Sequence, residues 1–401
     1  MSERTLILGY YLGNRYTQLA VYDKKTLEPV LIGQTEDNPD GLMETAIAVN
    51  DLEMLRGFVS KIQKGETIEV DGRQSQPVNV LAHYFSKTLA LTRQQYPGET
   101  IKKLVVTVTE TTREFVEIIY EALEKIGIGR DRAVVIGNKQ SFLYYVLYQR
   151  KEIWVNDVGL FDYSEGVLRY YQMQVERGKR PILVGVHEKD YSDVISFSNT
   201  GIDQIQRPAA FENVVYGAIH KQLLSALYMT GEGFLDGWAD EVFQKLCIGR
   251  RLFKGQNLYV SGACYGAREM AESPRLADYL LLDQDMITSH ISIQGYRDAD
   301  VQKIVLARAG TPWYQVDEEI DIIPNGDHEV TLTAENIFDH SEKQFIMDFE
   351  PVLTKVDRQC RIGIRVRFAE PHKCIVTLKD KGFGDLFPSS YRVWEKVLEL
   401  R

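Results

Sequence analysis

Two stretches of this sequence share one pattern: a strand, a turn that contains glycine, and a second strand. The first runs from Leu6 to Asp23 (LILGYYLGNRYTQLAVYD) and the second from 157 to 186 (DVGLFDYSEGVLRYYQMQVERGKRPILVGV). Each precedes segments of helix and strand, so the sequence predicts two related α/β lobes. Ligands of open α/β sheets bind at the carboxyl ends of strands, where such turns lie. We therefore expect a binding cleft between the lobes.

The first lobe has the clearest helical periodicity. Residues 78–94 and 112–128 each place apolar side chains on one helical stripe, and the strand KKLVVTVTE lies between them. A strand RAVVIG and a helix NKQSFLYYVLYQR follow. This alternation indicates a parallel α/β layer.

The second lobe is predicted from fewer signals. We expect a helical region from about Phe211 to Leu246. The segment QNLYVSGACYGAREMAES reads as a strand, a turn of small residues and the start of a helix.

The pattern changes at about Asp298. Short alternating runs such as HEVTLTAEN and CRIGIRVRFAE predict a separate all-β domain, a sandwich, closed by a short C-terminal helix in SSYRVWEKVLEL. The predicted domains are 1–297, with lobes at about 1–150 and 151–297, and 298–401. The fold class is thus α/β followed by all-β.

Composition excludes several classes of protein. The 401 residues carry a formal net charge of −10 and no long basic stripe, so nucleic acid is a poor partner. No apolar run is long enough for a membrane span, and no secretory signal is visible, so we expect a cytoplasmic protein. Four scattered cysteines, Cys247, Cys264, Cys360 and Cys374, suggest reduced thiols rather than disulfides or a zinc site.

Five motifs in chain order resemble those of the seventy-kilodalton heat-shock chaperones, members of the superfamily that includes actin and sugar kinases. The opening hairpin is similar to their first phosphate hairpin and GLFDYSEGVLRYY to the second. The strands and helices from KKLVVTVTE to NKQSFLYYVLY resemble their connecting layer, NLYVSGACYGARE the adenosine loop, and CRIGIRVRFAEPHKCIVTLKDKGFG the substrate-binding sandwich. The resemblance implies a two-lobed actin-like nucleotide-binding fold, with ATP or ADP and Mg²⁺ in the cleft.

The chain departs from that family where the chemistry takes place. Tyr11 stands where the resemblance places an acidic residue that holds magnesium-bound water, and Lys139 followed by Gln140 stands where it places the water-orienting residue. Glu165 adds negative charge to the second phosphate turn. The stretches between the hairpins are short, so the outer subdomains are expected to be reduced. We predict weak or absent hydrolysis, with nucleotide still bound.

The resemblance implies nucleotide contacts at three turns. These residues are Gly13, Asn14, Arg15, Ser164, Gly166, Gly262, Ala263, Tyr265 and Gly266. Two residues are candidates for chemistry: Gln140 to position water, and Asp162 to hold Mg²⁺ through water.

Each candidate also has a structural interpretation. The turn glycines can simply supply positive φ, Asp162 is a common residue type at the end of a strand, and Arg15 can be a solvated strand residue. Gln140 can cap its helix together with Asn138. The small residues of SGACYGA would equally serve close packing of a helix.

Two functions of different class are compatible with these features. The first is a heat-shock-chaperone-like ATP-binding protein, whose cleft is coupled to a β-sandwich that binds a protein or extended peptide. The second is a catalytically inactive actin-like scaffold or adaptor that binds its partner independently of nucleotide. Tyr11 and Lys139 discriminate between them, since the scaffold gains support if these side chains fill the phosphate and water sites.

Overall fold

A computed structural model describes residues 5–49, 53–70, 72–194, 203–297, 299–324, 328–349, 361–385 and 387–400. The mixed α/β chain divides into two compact units, Met1–Asp283 and Gln284–Arg401. Two residues named above, Asp298 and Cys360, lie outside the described residues. Of the helices that the structure describes, none is long and apolar enough to cross a membrane.

The first lobe contains a sheet, two small hairpins and several helices. Its strands are β1 (Thr5–Leu12), β2 (Tyr16–Asp23), β3 (Glu28–Leu31), β4 (Met43–Glu44), β5 (Ala46–Ala48), β6 (Met54–Arg56), β7 (Ile68–Val70), β8 (Arg73–Ser75), β9 (Thr100–Val108) and β10 (Ala133–Gly137). Its helices are α1 (Phe58–Gln63), α2 (Pro77–Gln95), α3 (Arg113–Lys125) and α4 (Asn138–Leu147). The predicted opening hairpin and the helices at 78–94 and 112–128 are confirmed.

The second lobe begins after α4. Its strands are β11 (Asp157–Ser164), β12 (Val167–Glu176), β13 (Ile182–Asp190), β14 (Leu224–Thr230), β15 (Arg251–Lys254) and β16 (Tyr279–Leu282). Its helices are α5 (Asp203–Ile219), α6 (Asp240–Leu246) and α7 (Leu258–Ala271). The helical region predicted over 211–246 is wrong in its middle, because β14 pairs with β11 in the centre of the sheet.

The two lobes contain sheets of the same topology. The first sheet has the order β10-β9-β1-β2-β3, and the second has the order β15-β14-β11-β12-β13 with β16 added at its edge. In both, three strands run antiparallel and the next two run parallel to the first. The repeat visible in the sequence is therefore a repeat of whole sheets.

Helix α7 packs against the first sheet and against α4. The predicted strand and turn at its beginning are wrong, because the segment from Leu258 onward is helical. A Cβ at Gly262 would stand 1.9 Å from the carbonyl oxygen of Ser141 on α4, and one at Gly9 of β1 would stand 2.3 Å from the carbonyl oxygen of Val260. The small residues let backbones meet, and this tertiary packing overrides the strand propensity of Tyr259 and Val260.

The second unit is β-rich. Its strands are β17 (Ser289–Arg297), β18 (Asp300–Ala307), β19 (Asp317–Ile322), β20 (Glu329–Asn336), β21 (Glu342–Asp348), β22 (Ile362–Glu370), β23 (Lys373–Asp380) and β24 (Val393–Glu399). They form two four-stranded antiparallel sheets, β18-β17-β20-β21 and β19-β22-β23-β24, which share one buried hydrophobic cluster. The predicted boundary at 298 falls between β17 and β18, which pair as a hairpin, so the unit begins earlier.

The predicted C-terminal helix is wrong. Residues 393–399 form β24, which pairs antiparallel with β23. Leu398 points into the core, whereas Val393 and Val397 are exposed on the other face. In so short a run, the same apolar residues can fit either a helix or an edge strand. Pairing with β23 decides in favour of the strand.

Candidate functional site

The turns of the two glycine hairpins meet in the first unit. The backbone N–H of Asn14, in the β1–β2 turn, donates to Oε1 of Glu165, in the β11–β12 turn, at 3.1 Å. The hairpins occupy equivalent places in the two sheets, so the cleft predicted between the lobes lies at this contact. Asn14 also accepts a hydrogen bond at Oδ1 from the N–H of Ser60 in α1, at 3.0 Å.

Gly13 is required in the first turn for a reason other than positive φ. Its φ lies outside the left-handed region, but a Cβ there would stand 2.7 Å from the hydroxyl of Tyr11. The N–H of Gly13 donates to the carbonyl of Tyr16, and its own carbonyl accepts from Thr45 Oγ1. A Cβ at Gly13 would also stand 2.7 Å from the carbonyl oxygen of Tyr16, so both the turn's own backbone and the Tyr11 side chain require glycine here.

The second turn is a two-residue turn with both central residues in the left-handed region. Glu165 has φ of 54° and Gly166 has φ of 77°, as in the tight turns that suit the twist of a hairpin. The N–H of Glu165 donates to Oε1 of Glu232 at 2.6 Å. Glu232 follows β14 through Gly231, whose φ is 102°. Thus a carboxylate of this chain binds the amide of each turn.

Asp162 lies buried at the end of β11, beneath the second turn. Its Oδ1 accepts from Ser164 Oγ at 2.5 Å and its Oδ2 from the hydroxyl of Tyr259 at 2.6 Å. Burial raises the pKa of Asp162 from 3.8 to about 6, although the two hydrogen bonds lower it. Both oxygens are therefore engaged by hydroxyl groups of the chain.

Tyr11 and Tyr259 fill the space next to Asp162. Their rings stack, with centroids 5.8 Å apart and planes 28° apart. Burial raises the pKa of Tyr11 well above its ordinary value, and the negative charge of Asp162 raises it further. Tyr11 is therefore a neutral phenol at physiological pH, and it stands where the resemblance placed a metal-side carboxylate.

Little space remains between these groups. The cavity lined by Tyr11, Arg15, Ser164, Glu165 and Glu232, among others, has a volume of about 20 Å³. A cavity of this size admits about one water molecule. Beside it lies an open cleft of about 920 Å³ that both turns line. Its charged lining residues are Arg15, Glu44, Arg56, Lys64, Glu165 and Glu232.

The predicted catalytic glutamine lies away from this cavity. Gln140 is buried in α4 and does not line the cavity. The N-cap of α4 is Gly137, so Gln140 lies in the first turn of the helix and is not itself the N-cap. Lys139 instead forms an ion pair with Glu188 of β13, at 2.7 Å between Nζ and Oε2, and so joins the two lobes.

The structure separates the other predicted nucleotide contacts into two groups. Gly13, Asn14, Arg15, Ser164 and Gly166 lie at the hairpin turns, as predicted, and the exposed guanidinium of Arg15 lies over the ring of Tyr16. The adenosine-loop residues do not form a loop. They are Gly262, Ala263, Tyr265 and Gly266, all buried within α7. Their helix-packing interpretation accounts for this geometry.

Three residues of the site escaped sequence reasoning: Glu188, Glu232 and Tyr259. The signal for Glu232 is present in the sequence LSALYMTGEG, an apolar strand followed by a glutamate between glycines. It was obscured by the prediction of helix over this region. Among the described residues, no group of three or more His, Cys, Asp or Glu side chains is arranged to hold a metal ion.

Two family models match this chain. The model for the C-terminal part of a family of unknown function, DUF5716, matches residues 44–284, and a domain of unknown function, DUF8552, matches residues 286–400. The change from one to the other coincides with the division between the two structural units. The first match begins after the β1–β2 hairpin. No curated protein matches the sequence.

Proposed function

We propose that this chain, which belongs to the DUF5716 family, is a protein-binding scaffold with an actin-like architecture whose nucleotide cleft is closed by its own side chains. One observation carries the proposal. The amides of the two hairpin turns, Asn14 N–H and Glu165 N–H, are bound by the carboxylates of Glu165 and Glu232. These are the donors that a phosphate would need.

The duplicated sheets support the actin-like part of the proposal. Each lobe has an antiparallel hairpin followed by parallel strands in the same order. Such a repeat, with the turns facing one cleft, is expected of the superfamily that the sequence resembles. The segments inserted in the first lobe, from β5 to β8 with α1, are short, as expected for reduced outer subdomains.

The residues of the cleft do not fit a nucleoside triphosphate with Mg²⁺. A phosphate at either turn would replace a carboxylate that already accepts the amide hydrogen bond, and it would lie beside like charge. The cavity of about 20 Å³ beneath the turns is too small for a triphosphate. In the open cleft beside it, three carboxylates, Glu44, Glu165 and Glu232, are among the lining residues. Asp162, the candidate metal ligand, accepts hydrogen bonds at both oxygens. We therefore derive no phosphoryl-transfer step for this protein.

The same residues instead hold the lobes together. Glu165 links its own lobe to Asn14, Lys139 pairs with Glu188 across the lobes, and the Tyr11 and Tyr259 rings stack. A scaffold benefits from such a fixed cleft, since a pre-organised surface loses less entropy on binding a partner. The β-rich second unit provides further strand edges for a protein or extended peptide.

Nucleotide titration tests this proposal. Melting of the full-length protein should not change with millimolar ATP or ADP, with or without Mg²⁺. A ligand at about 100 times its dissociation constant would add about 2.7 kcal/mol to the free energy of unfolding. A variant with Glu165→Ala and Glu232→Ala frees both amides and serves as the matched comparison.

Two outcomes would point elsewhere. A saturable rise in melting temperature of the wild type would favour the other candidate, a chaperone-like protein whose cleft couples nucleotide to the β-rich unit. Magnesium-dependent hydrolysis abolished by Asp162→Ala would contradict a closed cleft directly. Binding by the double variant alone would show that the two carboxylates exclude nucleotide.

A further inference from the structure

The edge strand of the second sheet carries an unusual combination of residues. β15 (Arg251–Lys254) ends the sheet order and pairs with β14 on one side. Of its four residues, Arg251, Phe253 and Lys254 are exposed and Leu252 is half-buried. No other described strand pairs with its outer edge, so its backbone groups there are open to an added strand.

A groove runs along this edge. Its volume is about 550 Å³, and Arg150, Glu152, Ile153, Arg251, Leu252 and Phe253 line it. One wall is the short helical turn Lys151–Ile153 and the other is β15. Such a volume lies within the usual range for binding clefts.

One lining residue of the groove, Phe253, is aromatic, and tyrosines of the protein pack behind it. The ring of Phe253 stacks on Tyr228 with centroids 5.0 Å apart, and Tyr145 of α4 meets Tyr228 edge-on at 5.6 Å. Tyr228 is buried, whereas Phe253 is 39% exposed. One face of the Phe253 ring is thus held by the protein, and the ring offers an apolar contact to a ligand.

The groove has a positive bias on an acidic chain. Arg150 and Arg251 form no ion pair with any described residue, and Glu152 is the single carboxylate along the groove. The chain as a whole carries a net charge of −10. Two unpaired guanidinium groups beside an apolar ring match a partner that carries carboxylates next to apolar side chains.

Exposed apolar residues extend this surface. Leu223 precedes β14 and is 78% exposed, and Ile248 precedes β15 and is 80% exposed. Ala226 pairs with Arg251, so Leu223 and Ile248 lie at the same end of two neighbouring strands. Exposed apolar side chains grouped in this way are typical of protein interaction sites.

Arg251 and Phe253 are two residues apart on β15 and therefore lie on the same face of the sheet. We infer that this edge binds an extended segment of a partner protein that presents acidic and apolar side chains in turn on one face, at positions i and i+2. The segment pairs with the outer edge of β15, its carboxylates contact Arg150 and Arg251, and its apolar side chains pack on Phe253. Because β15 is short, side-chain contacts contribute much of the affinity. This inference rests on the proposed scaffold function and names its docking surface.

The test uses the full-length protein and a short fluorescein-labelled peptide of the repeat Glu-Thr-Phe-Thr, which places Glu and Phe on one face of an extended strand, monitored by fluorescence anisotropy. Arg150→Glu, Arg251→Glu and Phe253→Ser should each weaken binding about tenfold or more. Arg93→Glu, at an exposed arginine of α2, is the matched control and should bind like the wild type. Unchanged melting curves would show that each variant is folded.

Two modified peptides sharpen the result. A peptide with Lys in place of Glu should bind about tenfold more weakly, and one with N-methylated backbone amides should lose most binding if it pairs as a strand. Absence of peptide binding, equal binding by the Arg251 and Arg93 variants, or insensitivity to N-methylation would overturn the inference. Repeating the titrations with millimolar ATP separates the two proposals, because a nucleotide effect would contradict the scaffold and not the docking surface.

Discussion

The two glycine hairpins occupy equivalent places in the two sheets but contribute different chemistry. The turn of β1–β2 contributes a backbone donor, Asn14 N–H, and an aromatic ring, Tyr11. The turn of β11–β12 contributes two carboxylates, Asp162 and Glu165, and Glu232 follows the next parallel strand. The two carboxylates that accept hydrogen bonds from the turn amides therefore both come from the second lobe, as does Asp162.

The outer parallel strands differ as well. In the first sheet, the edge strand β10 is largely buried and leads directly into α4. Its counterpart β15 is mostly exposed. The two sheets thus have the same topology, but β10 is largely buried and β15 is largely exposed. The second lobe contains both the carboxylates at the turns and the candidate docking surface. Burial and side-chain chemistry, rather than strand order, distinguish the roles of the lobes.

The helix packing that both lobes depend on should give the largest effect. Gly262→Ala places a Cβ 1.9 Å from the carbonyl of Ser141, where only backbone can yield. We expect a loss of about 3 kcal/mol or more in the free energy of unfolding, measured in urea. The control, Gly217→Ala on α5, meets nothing within 4 Å and should stabilise by about 0.5–1 kcal/mol. Similar effects at both glycines would show that α4 and α7 are not in close contact.

The buried carboxyl group of the second lobe should make stability depend on pH. Since the pKa of Asp162 is raised from 3.8 to about 6, the folded state binds this proton more tightly than the unfolded state. Its stabilising contribution is full below about pH 4 and is lost as the pH rises through about 6. Asp162→Asn should therefore gain about 2 kcal/mol relative to the wild type between pH 4 and pH 7.

A second variant should enlarge this pH dependence. Ser164→Ala removes a hydrogen bond that lowers the pKa of Asp162, so the loss of stability with rising pH should become larger. Urea titrations across this pH range measure both effects. A constant difference between the wild type and Asp162→Asn would mean that this carboxyl is solvated, and that the cleft is more open than described.

The contact between the two turns should have an intermediate effect. Glu165→Ala removes the acceptor of the Asn14 amide, whereas Glu165→Gln retains a side-chain oxygen that can accept. Both variants place a residue other than glycine at a φ of 54°, so the backbone strain is the same in each. Amide hydrogen exchange at Asn14 should be several-fold faster in the Ala variant than in the Gln variant, since a hydrogen bond to a neutral amide oxygen contributes about 0.5–1.5 kcal/mol. Equal exchange rates would show that the Asn14 amide does not donate to the side chain at position 165.

The ion pair between the lobes should have the smallest effect. Lys139→Met removes the contact with Glu188, but Glu188 retains Arg169 at 3.5 Å. A double-mutant cycle with Glu188→Gln should yield a coupling energy of about 1 kcal/mol, because both side chains are largely buried. The exposed pair Arg56 and Glu44 is the control and should show a smaller coupling, because solvent screens it. A coupling no larger than that of the control would remove this pair from the contacts that join the lobes.

Sequence reasoning succeeded where the signal was local. The hairpins follow from alternating strands around a glycine turn, and α2 and α3 follow from a helical stripe of apolar residues. It failed at α7, where Tyr259 and Val260 favour a strand, and at β24, where a short apolar run fits either structure. In both cases the deciding partner is another element: α4 and β1 for the helix, and β23 for the strand.

The sequence by itself therefore determined the paired hairpins, the α/β character of the first unit and the β-rich character of the second. Only the tertiary structure decided the state of the cleft. Glu165 is 151 residues from Asn14 along the chain, and Glu232 is 67 residues from Glu165. Periodicity and turn chemistry act over a few residues, whereas these hydrogen bonds exist because two equivalent sheets bring distant turns together. The local sequence around a turn carboxylate is the same whether that carboxylate repels a bound phosphate or accepts the hydrogen bonds that a phosphate would accept.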